Sequence, residues 1–167
     1  MKVKLHYLFI ILFGILFSCT PKKNQYFDTL LKAETGIFRG VEIGDNIEDV
    51  KLAENAEFLV DNMPDYLYFD YKLDMGNSYT VSYDFSENKL YEIELAAYFD
   101  QIEDANQLFK DFSNYFNKTH GKGKIEDDGY TSWRTKNEKT NTNIEVAMVN
   151  DSQEYGYISI LISNLDY

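Results

Sequence analysis

Once the acids are set aside, few side chains in this sequence can do chemistry. There is one cysteine, Cys19, and there are two histidines, His6 and His120. A protein zinc site draws three or four ligands from Cys, His and carboxylates. A nucleophilic triad needs a hydroxyl or thiol beside a base that a third group orients. One histidine in the body of the chain spells out neither, and His120, next to Gly121, reads as a helix-end side chain facing the negative pole of the dipole. Carboxylate pairs such as Asp127-Asp128, or Glu92 and Glu94, have the group types of a glycosidase. With 28 Asp and Glu in 167 residues, however, neighbouring acids follow from number alone. Asn150-Asp151-Ser152-Gln153-Glu154 alternates oxygen side chains as a calcium loop does, but Tyr155 stands where an EF-hand needs glycine and no acid fills the twelfth place. That stretch reads as a polar hairpin loop, and Trp133, inside a strand pattern, reads as core. The glycines between Gly36 and Gly44 lack both the Lys-Ser/Thr pair of a phosphate loop and the Gly-x-Gly-x-x-Gly spacing. The sequence therefore predicts a non-enzymatic protein with no cofactor and no metal.

Cys19 is the exception, because its surroundings point to modification. Lys2 and Lys4 precede an apolar run from Leu5 to Phe17, and small Ser18 stands just before the cysteine. These are the three parts of an export signal. The run is shorter than the roughly 20 residues that span a bilayer as a helix. Leu16, Ser18 and Cys19 resemble the bacterial lipoprotein box, with Phe17 bulkier than is usual in the middle. The resemblance implies cleavage after Ser18, diacylation of the Cys19 thiol and acylation of the new amino group. Several acyl chains on one residue anchor stably, where a single chain binds reversibly. A lone thiol with no disulfide partner fits that use. Thr20-Pro21-Lys22-Lys23-Asn24-Gln25 then reads as a tether, with Pro21 blocking regular structure. Neither an Asp directly after the Cys, an inner-membrane retention signal in such lipoproteins, nor the acidic run of Bacteroidetes-like surface lipoproteins is present. The expected location is the outer membrane, lipid-anchored and facing the periplasm.

Without Lys2 and Lys4 the chain carries 14 basic and 28 acidic residues, a net charge of 14 − 28 = −14. Such a polyanion is repelled by phosphate backbones and anionic headgroups, so nucleic acid is not an expected partner. The acidity reads first as a solvated, soluble surface, and the partner it would suit is a basic protein or peptide.

The rest of the chain is expected to form one α+β domain over 36–167, after a signal peptide over 1–18 and a lipidated tether over 19–35. Tyr26-Phe27 and Leu30-Leu31 have helical spacing and predict a short helix docking the end of the tether. Within it, Asp28-Thr29-Leu30 resembles the O-glycosylation acceptor of Bacteroidetes exported proteins. Gly44, Asp45 and Glu48 predict a turn and a capping box leading a short helix that buries Ile47, Val50 and Ala53. Alternation predicts strands over 66–71, 79–86 and 91–98. A second box, Asp100 and Glu103, then leads a helix whose face is Ile102, Ala105, Leu108, Phe109, Phe112, Tyr115 and Phe116. Strands at 131–135, 144–149 and 157–163 follow. The expectation is an antiparallel sheet of about six strands with helices packed on one face, built as a tandem α-β-β-β repeat.

That layout, with the turn and helix from Gly44 to Val50, resembles small periplasmic domains of the β-lactamase-inhibitor-like and BamE-like kind. The anchor, a compact sheet with many Tyr and the lack of a catalytic constellation point to a binding or scaffolding role in the cell envelope. The acidity and the inhibitor-like layout suit, alternatively, an inhibitor or immunity-type lipoprotein that neutralises a basic enzyme or toxin. The expected contact surface is the sheet face without helices, with Tyr66, Tyr68, Tyr91 and Tyr98 as candidate binding residues.

Overall fold

The computed structural model describes residues 23–138 and 140–167; the signal segment 1–18, Cys19 and residues 20–22 of the tether lie outside them. Helices α1 (Phe27–Leu31) and α2 (Ile47–Ala53) and a 3-10 turn (Ala56–Phe58) come first. Strands β1 (Leu59–Met63), β2 (Tyr66–Lys72), β3 (Ser78–Ser86) and β4 (Lys89–Phe99) follow. The long helix α3 (Ile102–His120) then leads to β5 (Lys124–Ile125), β6 (Thr131–Asn137), β7 (Thr142–Asn150) and β8 (Gly156–Asn164). The fold is α+β with one antiparallel sheet, in the order β1-β2-β3-β4-β8-β7-β6-β5. Each half of the chain supplies a four-stranded meander running from an edge to the centre, and the halves meet where β4 pairs with β8.

The sheet has eight strands, not six, and each half has four strands rather than three. The two missed by alternation, β1 and β5, are the edge strands. Residues 60–63 of β1 and both residues of β5 are exposed, so neither carries the one-sided burial that alternation detects. Short edge strands are also how sheets avoid pairing with other chains.

The core lies against one face. Leu67 and Phe69 of β2, Val81 and Tyr83 of β3, Ile93, Leu95 and Ala97 of β4, Ile158, Ile160 and Ile162 of β8 and Ile144, Val146 and Met148 of β7 all point to it and are buried. Helix α3 covers the β4-β8-β7-β6 side with Ala105, Leu108, Phe112 and Phe116. Its first turn approaches β8 so closely that a Cβ on Gly156 would fall 2.9 Å from that of Ala105. No side chain caps α3: its N-cap is Gln101, and the Asp100 backbone N–H donates instead to Asn77 Oδ1 at 2.9 Å. The expected Asp100–Glu103 box is therefore absent. In α2 the cap shifts by one residue. Asn46 Oδ1 accepts from the Glu48 and Asp49 N–H groups, while the Asp45 carboxylate accepts from the Glu42 N–H at 2.8 Å, closing the turn ahead of the helix.

The core also takes in Tyr26, Phe27, Leu30 and Leu31, upstream of Gly36. Phe27 packs on Phe112 with ring centres 4.7 Å apart, and Asn24 clips the chain to α3 through Asp111 and Asp104. Thr29 is exposed on α1.

Candidate functional site

The opposite face of the sheet presents its side chains outward. Strand register aligns them in rows: Tyr68, Ser82, Glu94, Leu161, Ala147 and Ser132 stand side by side, and in the next row Tyr66, Asp84, Glu92, Ser163, Glu145 and Arg134. A third row reads Asp70, Thr80, Ala96, Ser159 and Val149, and a fourth Lys72, Ser78, Tyr98 and Tyr157. The central strands β4 and β8 carry Glu92 and Glu94 at one end of this face, the small pair Ala96 and Ser159 between, and Tyr98 and Tyr157 at the other end. Glu92 and Glu94 belong to this face, beside Asp84. Burial, and then the charges of Glu92, Glu94 and Asp65, push the Asp84 carboxyl above the usual carboxylate range. At the far end Arg134 donates to Glu145 at 2.9 Å, so one of the few cations on this face is already paired.

Of the four tyrosines expected to bind, Tyr66, Tyr68 and Tyr98 sit on this face. Tyr66 and Tyr68 stack at 6.4 Å, and Tyr98 is 39% exposed. Tyr91 belongs to none of these rows. Asp84 pairs with Glu92 and Phe85 with Leu90, leaving Tyr91 as the extra residue of a bulge. It turns to stack on Tyr167 at 4.3 Å and lines a separate cleft of about 660 Å³ with Gly44, Lys89 and Thr142.

Sequence reasoning missed a buried ionic knot beneath the first half of the sheet. Phe38-Arg39-Gly40-Val41 is a tight turn closed by the Val41 N–H on the Phe38 carbonyl at 3.0 Å, with φ of 54° at Arg39 and 88° at Gly40. The left-handed backbone at Arg39, unusual outside glycine, turns its side chain inward. There Arg39 Nε donates to Glu54 Oε1 at 2.7 Å and Nη2 to Oε2 at 3.0 Å, while Nη1 donates to the Leu30 carbonyl at 2.6 Å. Glu54 also accepts from Lys32 Nζ and the Tyr71 hydroxyl, each at 2.6 Å, and from the Tyr83 hydroxyl. Tyr71 and Tyr79 stack at 4.5 Å, and the guanidinium carbon lies 5.4 Å from each ring centre. Burial alone would raise the Glu54 pKa; the Arg39 guanidinium outweighs it, with Lys32 and Tyr71 assisting, and holds the carboxyl at about 2. Burial lowers the Arg39 pKa, but Glu54 more than compensates and the net shift is upward. The available signal was Tyr71 and Tyr83 on the inward register, since buried phenol hydroxyls require partners.

The remaining chemical candidates are not brought together. His120 ends α3 and stacks on Phe116 at 5.9 Å. It is half-buried and not a surface cation: burial lowers its pKa, and Nε2 has no hydrogen-bond partner among the described residues. Trp133 is core, donating from Nε1 to Asn117 at 2.9 Å. Asp127 and Asp128 lie in the exposed β5–β6 connection, far along the chain and sheet order from Glu92 and Glu94. Among the described residues no group of three or more His, Cys, Asp or Glu is placed to hold a metal ion, and no helix is long and apolar enough to cross a membrane. Comparison with family models, curated proteins and solved structures returned no match.

Proposed function

We propose that this chain is a non-enzymatic lipoprotein of the cell envelope, anchored in the outer membrane through Cys19 and facing the periplasm, that binds a basic protein on the uncovered face of its sheet. The observation that carries the reading is the composition of that face. Asp84, Glu92 and Glu94 repel one another across adjacent strands, so a partner's cations relieve a cost already present in the free protein. Tyr66, Tyr68 and Tyr98 flank them with amphipathic area that costs little side-chain entropy to fix. The buried side is stabilised by its own core, which leaves the open side available for contact. The same acidity supports an inhibitor or immunity-type role against a basic enzyme or toxin, which is the special case in which the partner's active surface is what the face covers.

The test is capture from the native envelope on the immobilised protein at low and high salt. A specific basic protein should be recovered at low salt and diminished at high salt, because steering acts over a Debye length of about 10 Å at 0.1 M. Glu92→Lys combined with Glu94→Lys should abolish recovery. Capture unaffected by that reversal would reject the acidic face as the contact. For the anchor, Cys19→Ala should eliminate incorporation of labelled fatty acid and leave either unprocessed precursor or a soluble product; undiminished labelling would refute the lipid assignment.

A further inference from the structure

At one end of the uncovered face lies a small cleft of about 360 Å³ walled by Tyr98, Tyr155 and Tyr157 and edged by Asp151, Gln153 and Glu154. Tyr98 and Tyr157 are cross-strand partners on β4 and β8, with ring centres 5.0 Å apart and planes inclined by 46°. Tyr155, from the β7–β8 connection, stands 6.3 Å from Tyr98 at 38°. Three tilted rings thus converge from two strands and a loop. The loop is held in shape. Ser152 donates through both its N–H and its hydroxyl to Asn150 Oδ1, and the Tyr157 N–H donates to Ser152 Oγ at 2.9 Å. The Asp151 N–H donates to the Tyr157 carbonyl at 3.2 Å. The side chains of Asp151 and Glu154 make no ion pair or hydrogen bond among the described residues, and no Lys or Arg lines the cleft. Burial, followed by the neighbouring Tyr155 and Tyr68, raises the Tyr98 pKa, so its phenol stays neutral and its ring keeps a negative face.

A ring face attracts a cation strongly when the cation is partly desolvated, and a carboxylate at the rim adds a charge-assisted hydrogen bond. The cleft is at the small end of ligand-site volumes, roughly 300 to 1,000 Å³, which suits one side chain better than a larger molecule. We propose that the Tyr98–Tyr155–Tyr157 cleft receives a guanidinium or ammonium side chain, with Asp151 and Glu154 as its counter-ions. This rests on reading the open face as a surface for a basic protein and identifies where that protein's anchoring residue enters. An arginine is favoured over a lysine, because a planar guanidinium stacks on rings and meets two carboxylates at once.

The test uses the full chain in neutral detergent with ring-labelled tyrosine, titrated in separate experiments with argininamide, lysinamide and the neutral isostere citrullinamide. Argininamide should shift the ring signals of Tyr98, Tyr155 and Tyr157 saturably, lysinamide more weakly, and citrullinamide not at all. Tyr155→Ala, which removes an exposed loop ring, and Asp151→Asn with Glu154→Gln should each weaken argininamide by at least about fivefold. Equal shifts from citrullinamide, or no saturable shift of these rings, would overturn the proposal. The two readings fail separately. Ring shifts with argininamide support the cleft even where envelope capture recovers no protein. A captured protein held equally by the parent and Tyr155→Ala overturns the cleft's role and leaves the partner reading standing.

Discussion

Phe112→Asp is expected to remove cooperative folding altogether. Phe112 is fully buried and touches aromatic rings from three parts of the chain: Phe27 of α1 at 4.7 Å, Phe38 of the Arg39 turn at 6.1 Å and Phe116 one turn on at 5.9 Å. Deleting such a ring costs about 3–5 kcal/mol through lost transfer energy and the cavity left behind. The carboxylate adds a further penalty of several kcal/mol, because it would lie buried among the rings of Phe27, Phe38 and Phe116. Together these approach the 5–15 kcal/mol typical of a whole domain. Phe109, on the same helix but only partly buried, gives the internal comparison. Phe109→Asp should retain a cooperative urea transition at a lower midpoint, whereas Phe112→Asp should show none by near-UV circular dichroism. A Phe112→Asp protein that unfolds like the parent would mean that α3 does not face the sheet.

The contrast between those two phenylalanines shows what was readable in the sequence. Helical spacing placed both on one broad face, and the inner strands β2, β3, β4, β6, β7 and β8 announced themselves because one-sided burial forces apolar alternation. What failed to register was whatever burial does not pattern. The edge strands β1 and β5 carry no buried stripe, and the caps moved by a residue because Asn46 and Asp45 are chemically interchangeable in sequence but not in backbone geometry. Unbroken alternation from Ile93 would put Tyr91 on the buried face, opposite Tyr98; the bulge instead turns it out beside Tyr167, which a period-two pattern does not report.

The cleft and the ionic knot were illegible for a different reason: each is assembled from distant segments. Tyr98 and Tyr155 are joined by the β4–β8 pairing and the hairpin beyond it, and Arg39 and Tyr83, 44 positions apart, converge on Glu54. A sequence pattern reports neighbours along an element, whereas these contacts follow from which strands the topology places side by side. The composition of Asp151 to Glu154 predicts the polar hairpin loop that joins β7 to β8, yet its place beside Tyr98 emerges only once β8 is paired with β4.

The knot yields the second large effect, and it is asymmetric. Glu54 collects donors from Arg39, Lys32, Tyr71 and Tyr83, while Arg39 donates to Glu54 and the Leu30 carbonyl and packs against the Tyr71 and Tyr79 rings. Glu54→Ala therefore strands a buried guanidinium and two phenol hydroxyls at once, a loss of about 3–5 kcal/mol or more. Arg39→Met leaves the carboxylate three of its four partners and should cost less. It also removes a long side chain from a left-handed position without relieving the backbone, so it should not be neutral. The pH dependence carries the sign of a depressed acid. Glu54 titrates near 2 when folded against about 4.3 in the unfolded chain, so its contribution is complete above the unfolded value and is lost as pH falls through the folded one. The difference amounts to about 3 kcal/mol. Urea unfolding of the parent and of Glu54→Gln, followed from pH 6 down to pH 2, should therefore show the gap between them closing on acidification, because the variant has no carboxylate there to protonate. A gap that stays constant across that range would mean that Glu54 is not held as an anion in the folded protein, and that the Arg39 turn is fixed by packing and the Leu30 carbonyl instead.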